Sequence, residues 1–422
     1  MFEIVGKYNT AKVYADIVEQ EAYSQIQNLV NQKFSEGSNI AIMADTHAGK
    51  GVCIGFTQTI KDKVVPNLVG CDIGCGMLVL KVSKDFIMDL PKLDKVIHQK
   101  IPSGMNHRAS KHPFADKTHL QDLVCPVNRD KLLLSVGSLG SGNHFLEVDT
   151  DENGDYYIVI HSGSRHLGIE VAKFYQNKAI EYWMEGGVEF NIGRSKLIQD
   201  LKSSGRQAEI AAALKKYDEK KVKMPAELAY LEGPLMEDYL HDMKIAQEYA
   251  MLNREAMLDV IISEMGIKKR YILDKFCTIH NYIDLDNMIL RKGAISLQKD
   301  ESAIIPLNMR DGSLIVRGKG NPDWNCSGPH GAGRLMSRSK AKETLKMEDY
   351  KESMEGIYTT CVGTATIDEA PQAYKPMESI IENIGDNADV VTRIRPIYNF
   401  KSSEYEEWNN QTPRKVSKPK DY

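Results

Sequence analysis

The stretch 69-VGCDIGCGM-77 sets an acid and a thiol, Asp72 and Cys75, three residues apart among Gly70, Gly74 and Gly76. Glycine weakens regular helix and strand, and it frees the backbone for turns that other residues resist. A segment built this way can bring two small ligating groups to one point. What else the chain brings to that point decides the fold around it and its chemistry.

Working outward, 40-IAIMADTHAGKG-51 and 64-VVPNLVGCDIGCGMLVLKV-82 read as strands interrupted by tight turns. The segments 136-VGSLGSGNHFLEV-148 and 156-YYIVIHSGSRHLG-168 again join a strand pattern to a Gly/Ser loop. From about 169 to 265 the texture changes. Met236, Tyr239/Leu240, Met243, Ala246, Ala250, Met257 and Val260/Ile261 recur at helical spacing, and 264-EMG-266 is a helix stop. This Met-rich stripe reads as core packing rather than a cofactor site, because Met fills irregular gaps. Strands return from 271, with turns at 291-RKGA-294, 310-RDGS-313 and 317-RGKGNPDW-324, and the pattern predicts a further helix over about 334–346. The expected fold class is α+β. One large mixed body covers 1–401, with a helical insertion at about 169–265, and a polar tail at 402–422 is expected to fray.

At 422 residues the chain can bury a large core, and its formal charge is -4. That balance excludes a protein coated in basic charge. It leaves room for a local cationic groove on an acidic body. No apolar run approaches the ~20 residues that span a bilayer, and 1-MFEIVGKYNTAKVYAD-16 does not resemble a signal peptide, so a cytoplasmic protein with no membrane partner is expected. The seven cysteines are odd in number and scattered, unlike a disulfide framework.

Of the eleven histidines, His98, His107, His112 and His119 fall in or near a mixed connector and read as solvated surface, and His241 on the helical stretch reads as equally ordinary. His47, His144, His161, His166, His280 and His330 stand in Gly-rich or strand-end contexts. A single histidine at a strand end is commonly structural. The shared form of His144, His161 and His280 is more telling, since each follows an apolar or Gly-rich approach and would stop at the mouth of a sheet, where sites gather. With Asp72 and Cys75 they make five potential ligands. One metal usually takes three or four, so five with a thiolate able to bridge suit a pair of metals. Ligand softness ranks zinc slightly ahead of manganese.

His330 lies in 327-SGPHGAGRLMSRSKAK-342, ahead of a glycine turn and a basic segment carrying Arg334, Arg338, Lys340 and Lys342. If Arg334 and Arg338 share a helix, they lie on one face. A neutral imidazole is a competent nucleophile towards phosphorus, so His330 beside bound phosphates is a candidate covalent catalyst rather than a sixth ligand. The chain has no Walker P-loop and no correctly placed G-x-G-x-x-G.

The ordered motifs VGCDIGCGM, GSLGSGNHFLEV, IHSGSRHLG, HNYI, RKGA, PHGAGRLMSRSKA and EAPQAYKPM closely resemble those of RtcB-type RNA-splicing ligases, from about residue 40 to 401. The resemblance implies GTP- and Mn²⁺-dependent joining of an RNA 3′-phosphate or 2′,3′-cyclic phosphate to a 5′-hydroxyl, in RNA repair or tRNA splicing. It implies two Mn²⁺ held by Asp72, Cys75, His144, His161 and His280, with Cys75 bridging, and GMP carried on His330 through a phosphoramidate bond. Matching positions imply a nucleotide site along Asn143, His144, Phe145, Leu146 and Glu147, with His280 and Asn281. Pro306, Leu307, Asn308, Met309 and Ser313 would flank guanine and ribose, and His330, Gly331, Ala332 and Gly333 would lie beneath the α-phosphate. Lys401 matches a guanine-contacting lysine, and Arg165, Arg334 and Arg338 are expected on RNA phosphates. Four departures mark a divergent branch. Ala44 stands for a proline ahead of Asp45 and His47, PLNM for a Pro-Gly-Ser-Met loop, His166 for a glycine, and a tail follows Lys401. The competing readings are a two-metal phosphoesterase or nuclease with no covalent nucleotide, and a non-catalytic RNA-binding protein with structural zinc. Nothing in the sequence specifies an activating protein partner.

Overall fold

The computed structural model describes residues 1–219 and 224–402. The expected tail therefore lies, apart from Ser402, outside the described residues. The body is mixed α and β, as the sequence pattern implies, and is organised by two large sheets.

Thirteen strands build them: β1 Phe2–Val5, β2 Thr10–Val13, β3 Ile40–His47, β4 Ile54–Thr59, β5 Gly76–Val82, β6 Phe145–Thr150, β7 Tyr156–Ser162, β8 Ile272–Ile279, β9 Asn281–Asp284, β10 Ile289–Lys292, β11 Ser302–Asn308, β12 Gly312–Gly318 and β13 Ala388–Lys401. The six-stranded sheet runs β1-β2-β3-β4-β10-β9, and the seven-stranded sheet runs β8-β5-β7-β6-β13-β12-β11. Only β2–β3 is parallel in these two sheets. His280 is the single residue between β8 and β9, so the chain crosses from one sheet to the other at a histidine.

The larger sheet has two apolar faces, because side chains alternate along each strand. On one face Leu78, Leu146, Ile160 and Phe400 join Met257 and Ile261 of the long helix Gly233–Met265. On the other face Met77, Val79, Phe145 and Val159 meet Ile304, Ile315 and Ile394. The second face is the one that opens into the site.

The long helix spans roughly 50 Å at 1.5 Å per residue. Met236, Tyr239, Met243, Ala246, Ala250, Met257 and Ile261 are buried along it, so the predicted stripe is core. It ends at Gly266, which sits in the left-handed region at φ 71°. Together with the helix Leu167–Met184 it packs into the principal core beside Ile73 and Leu68, so this part of the helical stretch belongs to the body. The helices Gly187–Ser203 and Ile210–Asp218 bury little.

His112 corrects one expectation. It is buried, its ring nitrogen accepts from Phe114 N at 3.2 Å, and it lies 3.5 Å from Asp259 of the long helix. The polar connector around it conceals a histidine used as a cap. Among the described residues no helix is long and apolar enough to cross a membrane.

Candidate metal and nucleotide site

All five expected ligands meet at one end of the larger sheet. Cys75 immediately precedes β5 and His144 immediately precedes β6, whereas His161 is near the end of β7 and His280 follows β8. Because these strands are antiparallel, those four positions share an edge. Asp72 enters from a tight turn in which Cys75 N donates to Asp72 O at 3.1 Å. Gly70 and Gly74 supply the turn with φ of 95° and 78°. A Cβ on Gly74 would also lie 2.8 Å from Ala250 Cβ of the long helix. His280 N donates to Cys75 O at 3.0 Å, tying the imidazole strand to the thiol turn.

The donor atoms form two triads that share Cys75: Asp72, Cys75 and His144, and Cys75, His161 and His280. Cys75 Sγ is 3.4 Å from His144 Nε2 and 3.3 Å from His161 Nε2. His144 Nε2 is 3.1 Å from Asp72 Oδ2, and the Nε2 atoms of His161 and His280 are 3.1 Å apart. Burial, and then the neighbouring imidazoles, hold His161 and His280 far below the ordinary histidine pKa. Both are neutral. His161 Nδ1 donates its proton to Asn143 O at 3.1 Å, which leaves the Nε2 lone pair aimed into the cluster.

The donor set therefore fits cations. Convergent lone pairs repel unless a positive charge sits among them. Burial and the adjacent Asp72 push the Cys75 thiol far up, and a bound cation would draw off that proton. For Asp72, burial opposes the charge, but the hydrogen bond and charge of His144, with Cys75 and His280, together outweigh it and hold the carboxyl below its usual range. Five ligands with one shared sulfur suit two ions with a thiolate bridge.

Against this cluster lies a cavity of about 320 Å³. Its floor is written in the strand register. Met77, His161, Phe145 and Lys401 are successive partners across β5, β7, β6 and β13, and Glu147 pairs with Asn399 one pleat further along. Met77, Phe145, His161, Glu147, Asn399 and Lys401 all line the cavity, joined by Asn143, His280, Asn281, Pro306 to Met309, and His330 to Gly333. His330 stacks obliquely near His280, with ring centroids 4.9 Å apart, yet belongs to neither triad. Its Nδ1 lies 2.6 Å from Asp45 Oδ2, and the same oxygen accepts from His330 N at 3.1 Å. The imidazole is thus oriented from behind by a fully buried carboxylate of β3.

The family model described as "RtcB: tRNA-splicing ligase RtcB" matches residues 25–125 and 117–402. The chain belongs to the RtcB family of RNA ligases. An RNA-splicing ligase RtcB of Escherichia coli (strain K12) is 30% identical over 424 residues, covering 90% of this chain and 94% of that protein. tRNA-splicing ligases RtcB of Aeropyrum pernix and Archaeoglobus fulgidus are 26% and 24% identical, covering 92% and 90% of this chain and 94% and 91% of their own.

Not every nucleotide-site residue expected from RtcB motifs faces the cavity. Leu146 is fully buried on the opposite face of the sheet, among Leu78, Ile160 and Phe400. Ser313 is fully buried beside its strand partner Pro306 and is not part of the lining. Leu307 borders the cavity but packs its side chain in the core, and Asn308 spends its amide on Asp311 at 2.8 Å and on the backbone of its own turn.

The basic segment also differs from expectation. The helix begins at Arg338, with Ser337 Oγ capping Lys340 N, so Arg334 precedes it and instead bridges to Tyr374. Arg334 donates to Met336 O, Asp368 O, Glu369 and Tyr374 Oη, and Arg338 pairs with Asp368 and Glu369 while staying 44% exposed. Arg165 donates to Ser138 Oγ and Gly104 O, both at 2.8 Å. Of these three arginines, Arg338 keeps the most solvent-facing charge. His166, the residue in place of the RtcB glycine, sits at φ 81° with its side chain 3.9 Å from Glu170, away from the triads. That left-handed backbone is the physical reason a glycine suits the position.

Sequence reading missed Asp45, Glu369, Tyr374 and Asn399 as site residues. Glu369 is the hub of the cavity wall, contacting Lys401, Arg334, Arg338 and Tyr374. Burial works against its charge, but Lys401 and Arg338 hold its carboxyl down at about 2. Glu147 goes the other way, raised by burial to about 7 against the hydrogen bonds from Asp149 and Asn399, and the buried Asp149 carboxyl beside it is pushed up with it.

Proposed function

We propose that this RtcB-family protein joins RNA 3′-phosphate or 2′,3′-cyclic phosphate ends to 5′-hydroxyl ends, using GTP, two Mn²⁺ and a guanylated His330. The observation that carries this reading is His330 itself, an imidazole beside five convergent donors but outside them, backed by Asp45. A hydrolytic two-metal site would use such an imidazole only to move a proton, so covalent labelling of His330 separates the two readings.

The cations, held by Asp72, Cys75, His144, His161 and His280, would neutralise phosphate charge and ease deprotonation of an attacking hydroxyl. The chain's own groups do the rest. Asp45 accepts the Nδ1 proton of His330, so the Nε2 lone pair is free to attack the α-phosphorus of GTP. The N–P bond forms as the bond to pyrophosphate breaks, and Asp45 stabilises the positive ring that results. An oxygen of the RNA 3′-phosphate then attacks the same phosphorus, and His330 leaves as neutral imidazole. The 5′-hydroxyl of the second RNA end attacks the activated 3′-phosphate, and GMP departs. A cyclic end is first opened by water to the 3′-phosphate. Glu147, Asn399 and Lys401 offer the polar floor on which guanine would rest, supporting GTP over ATP. Arg338 is the natural grip for an RNA phosphate at the rim.

Incubation with α-labelled GTP and Mn²⁺ should leave acid-labile, alkali-stable label on the protein. His330→Ala should abolish labelling with metal content unchanged, whereas Cys75→Ala should lose metal, labelling and ligation together. Labelling that survives His330→Ala sinks the assignment.

A further inference from the structure

Two adjacent polar residues of the long helix, Asn253 and Arg254, are fully buried amid its apolar stripe, a few turns beyond the buried Asp242 that accepts from Val124 N and Cys125 N. Burying an amide and a guanidinium is costly, and hydrogen bonds offset that cost at both amide atoms of Asn253 and both Nη atoms of Arg254, while Arg254 Nε has no partner among the described residues. Their bonds all go to one place. Arg254 Nη1 donates to Gly74 O at 2.8 Å and to Ser162 O at 2.7 Å. Its Nη2 reaches Cys277 Sγ at 3.6 Å. Asn253 Oδ1 accepts from Gly137 N at 2.8 Å and Ser138 N at 3.0 Å, and its Nδ2 donates to Ser162 Oγ and Gly163 O, both at 3.1 Å.

These partners flank the metal ligands. Gly74 precedes Cys75, Ser162 follows His161, Cys277 is three residues before His280, and Gly137–Ser138 begin the loop that leads to His144. We propose that Asn253 and Arg254 are positioning residues, a two-residue clamp on the long helix that assembles the metal site before any ion arrives. Neither touches a donor atom. They fix the backbone from which the donors project, and the guanidinium acts by bonding two carbonyls and a thiol rather than by pairing with a carboxylate. The clamp is directional. The two N–H bonds of Nη1 hold Gly74 O and Ser162 O together, which sets the spacing between the thiol turn and the His161 strand.

The inference rests on the two-cation reading, and the test separates the two. Metal-free protein is titrated with Mn²⁺, and with Co²⁺ as a spectroscopic probe of the thiolate. Arg254→Met should weaken Mn²⁺ binding roughly 10- to 100-fold, the usual cost of losing a residue that supports metal ligands, and should diminish the thiolate-to-cobalt absorption. Asn253→Ala should do the same. Ile261→Ala, on the same helix and fully buried in the sheet core, should lower stability while leaving metal affinity alone. The clamp is refuted if Arg254→Met binds Mn²⁺ like the wild type, or if Ile261→Ala weakens binding just as much. Hydrogen exchange of the metal-free wild type tests the idea without any variant. The Gly137 and Ser138 amides should be protected as strongly as the core of the long helix, and exchange at open-loop rates would overturn pre-assembly. A wild type that binds neither ion would instead count against the two-cation reading.

Discussion

The bond between Asp45 and His330 gives the sharpest prediction. Replacing Asp45 with Asn keeps the volume but removes the charge behind the imidazole. Asp45 Oδ2 serves two donors at once, His330 Nδ1 at 2.6 Å and His330 N at 3.1 Å. As Nε2 bonds to phosphorus the ring turns positive, so the Nδ1 bond becomes charge-assisted on both sides. Hydrogen bonds to charged groups contribute about 1.5–3 kcal/mol. Losing that amount only in the transition state slows the step by roughly 10- to 150-fold at 1.36 kcal/mol per decade. If the Asn amide instead turns its NH₂ towards Nδ1, the wrong tautomer is favoured and the loss is larger. The assay is the single-turnover rate of label transfer from α-labelled GTP to the protein, with bound metal measured in parallel. Metal content should stay at the wild-type level, because Asp45 belongs to neither triad. A labelling rate within twofold of wild type would refute the role given to Asp45.

Three further outcomes are expected. Gly140→Ala should lose metal affinity, because a Cβ there would lie 2.5 Å from His144 Nδ1 on a backbone at φ 95°; a titration matching wild type would contradict the placement of His144. Leu146→Ala should cost about 2–5 kcal/mol in urea denaturation yet leave GTP binding unchanged, since the side chain is core and faces away from the cavity. Glu147 and Asp149 form one buried pair, and burial raises both carboxyls, Glu147 to about 7 and Asp149 well up, so the folded state keeps protons that the unfolded state gives up. Stability from the pair is then full below the ordinary carboxyl range and falls as pH rises towards about 7. The double replacement Glu147→Gln with Asp149→Asn should flatten that part of the melting-temperature profile, and an unchanged slope would show that the pair does not retain its protons.

The five convergent donors were legible because each is announced locally, by glycines around Asp72 and Cys75 and by strand ends beside the three histidines. What was not legible depends on direction or on distant partners. The string NHFLE reads as one binding segment, yet strand alternation sends Phe145 and Glu147 to the cavity and Leu146 to the core. Arg334 looks helical by spacing, but the serine cap at Ser337 starts the helix later. Asp45 and Glu369 stand inside matched motifs, but their roles could not be read there, because their partners His330, Lys401 and Arg338 are brought to them only by tertiary structure. Asn253 and Arg254 are hidden for the same reason, inside a stripe that reads as ordinary packing.

The hairpin between β6 and β7 couples the donor cluster, the cavity and the core through one alignment, with Phe145 opposite His161 and Thr150 opposite Tyr156. Its turn at 151–155 lies at the far end from the donors. Evolution is therefore free to lengthen or shorten that turn, but a single-residue deletion between 145 and 150 would invert every downstream side chain at one stroke. Diversification within this lineage should accordingly show as insertions at the tip and point replacements within the strands, and almost never as gaps inside them.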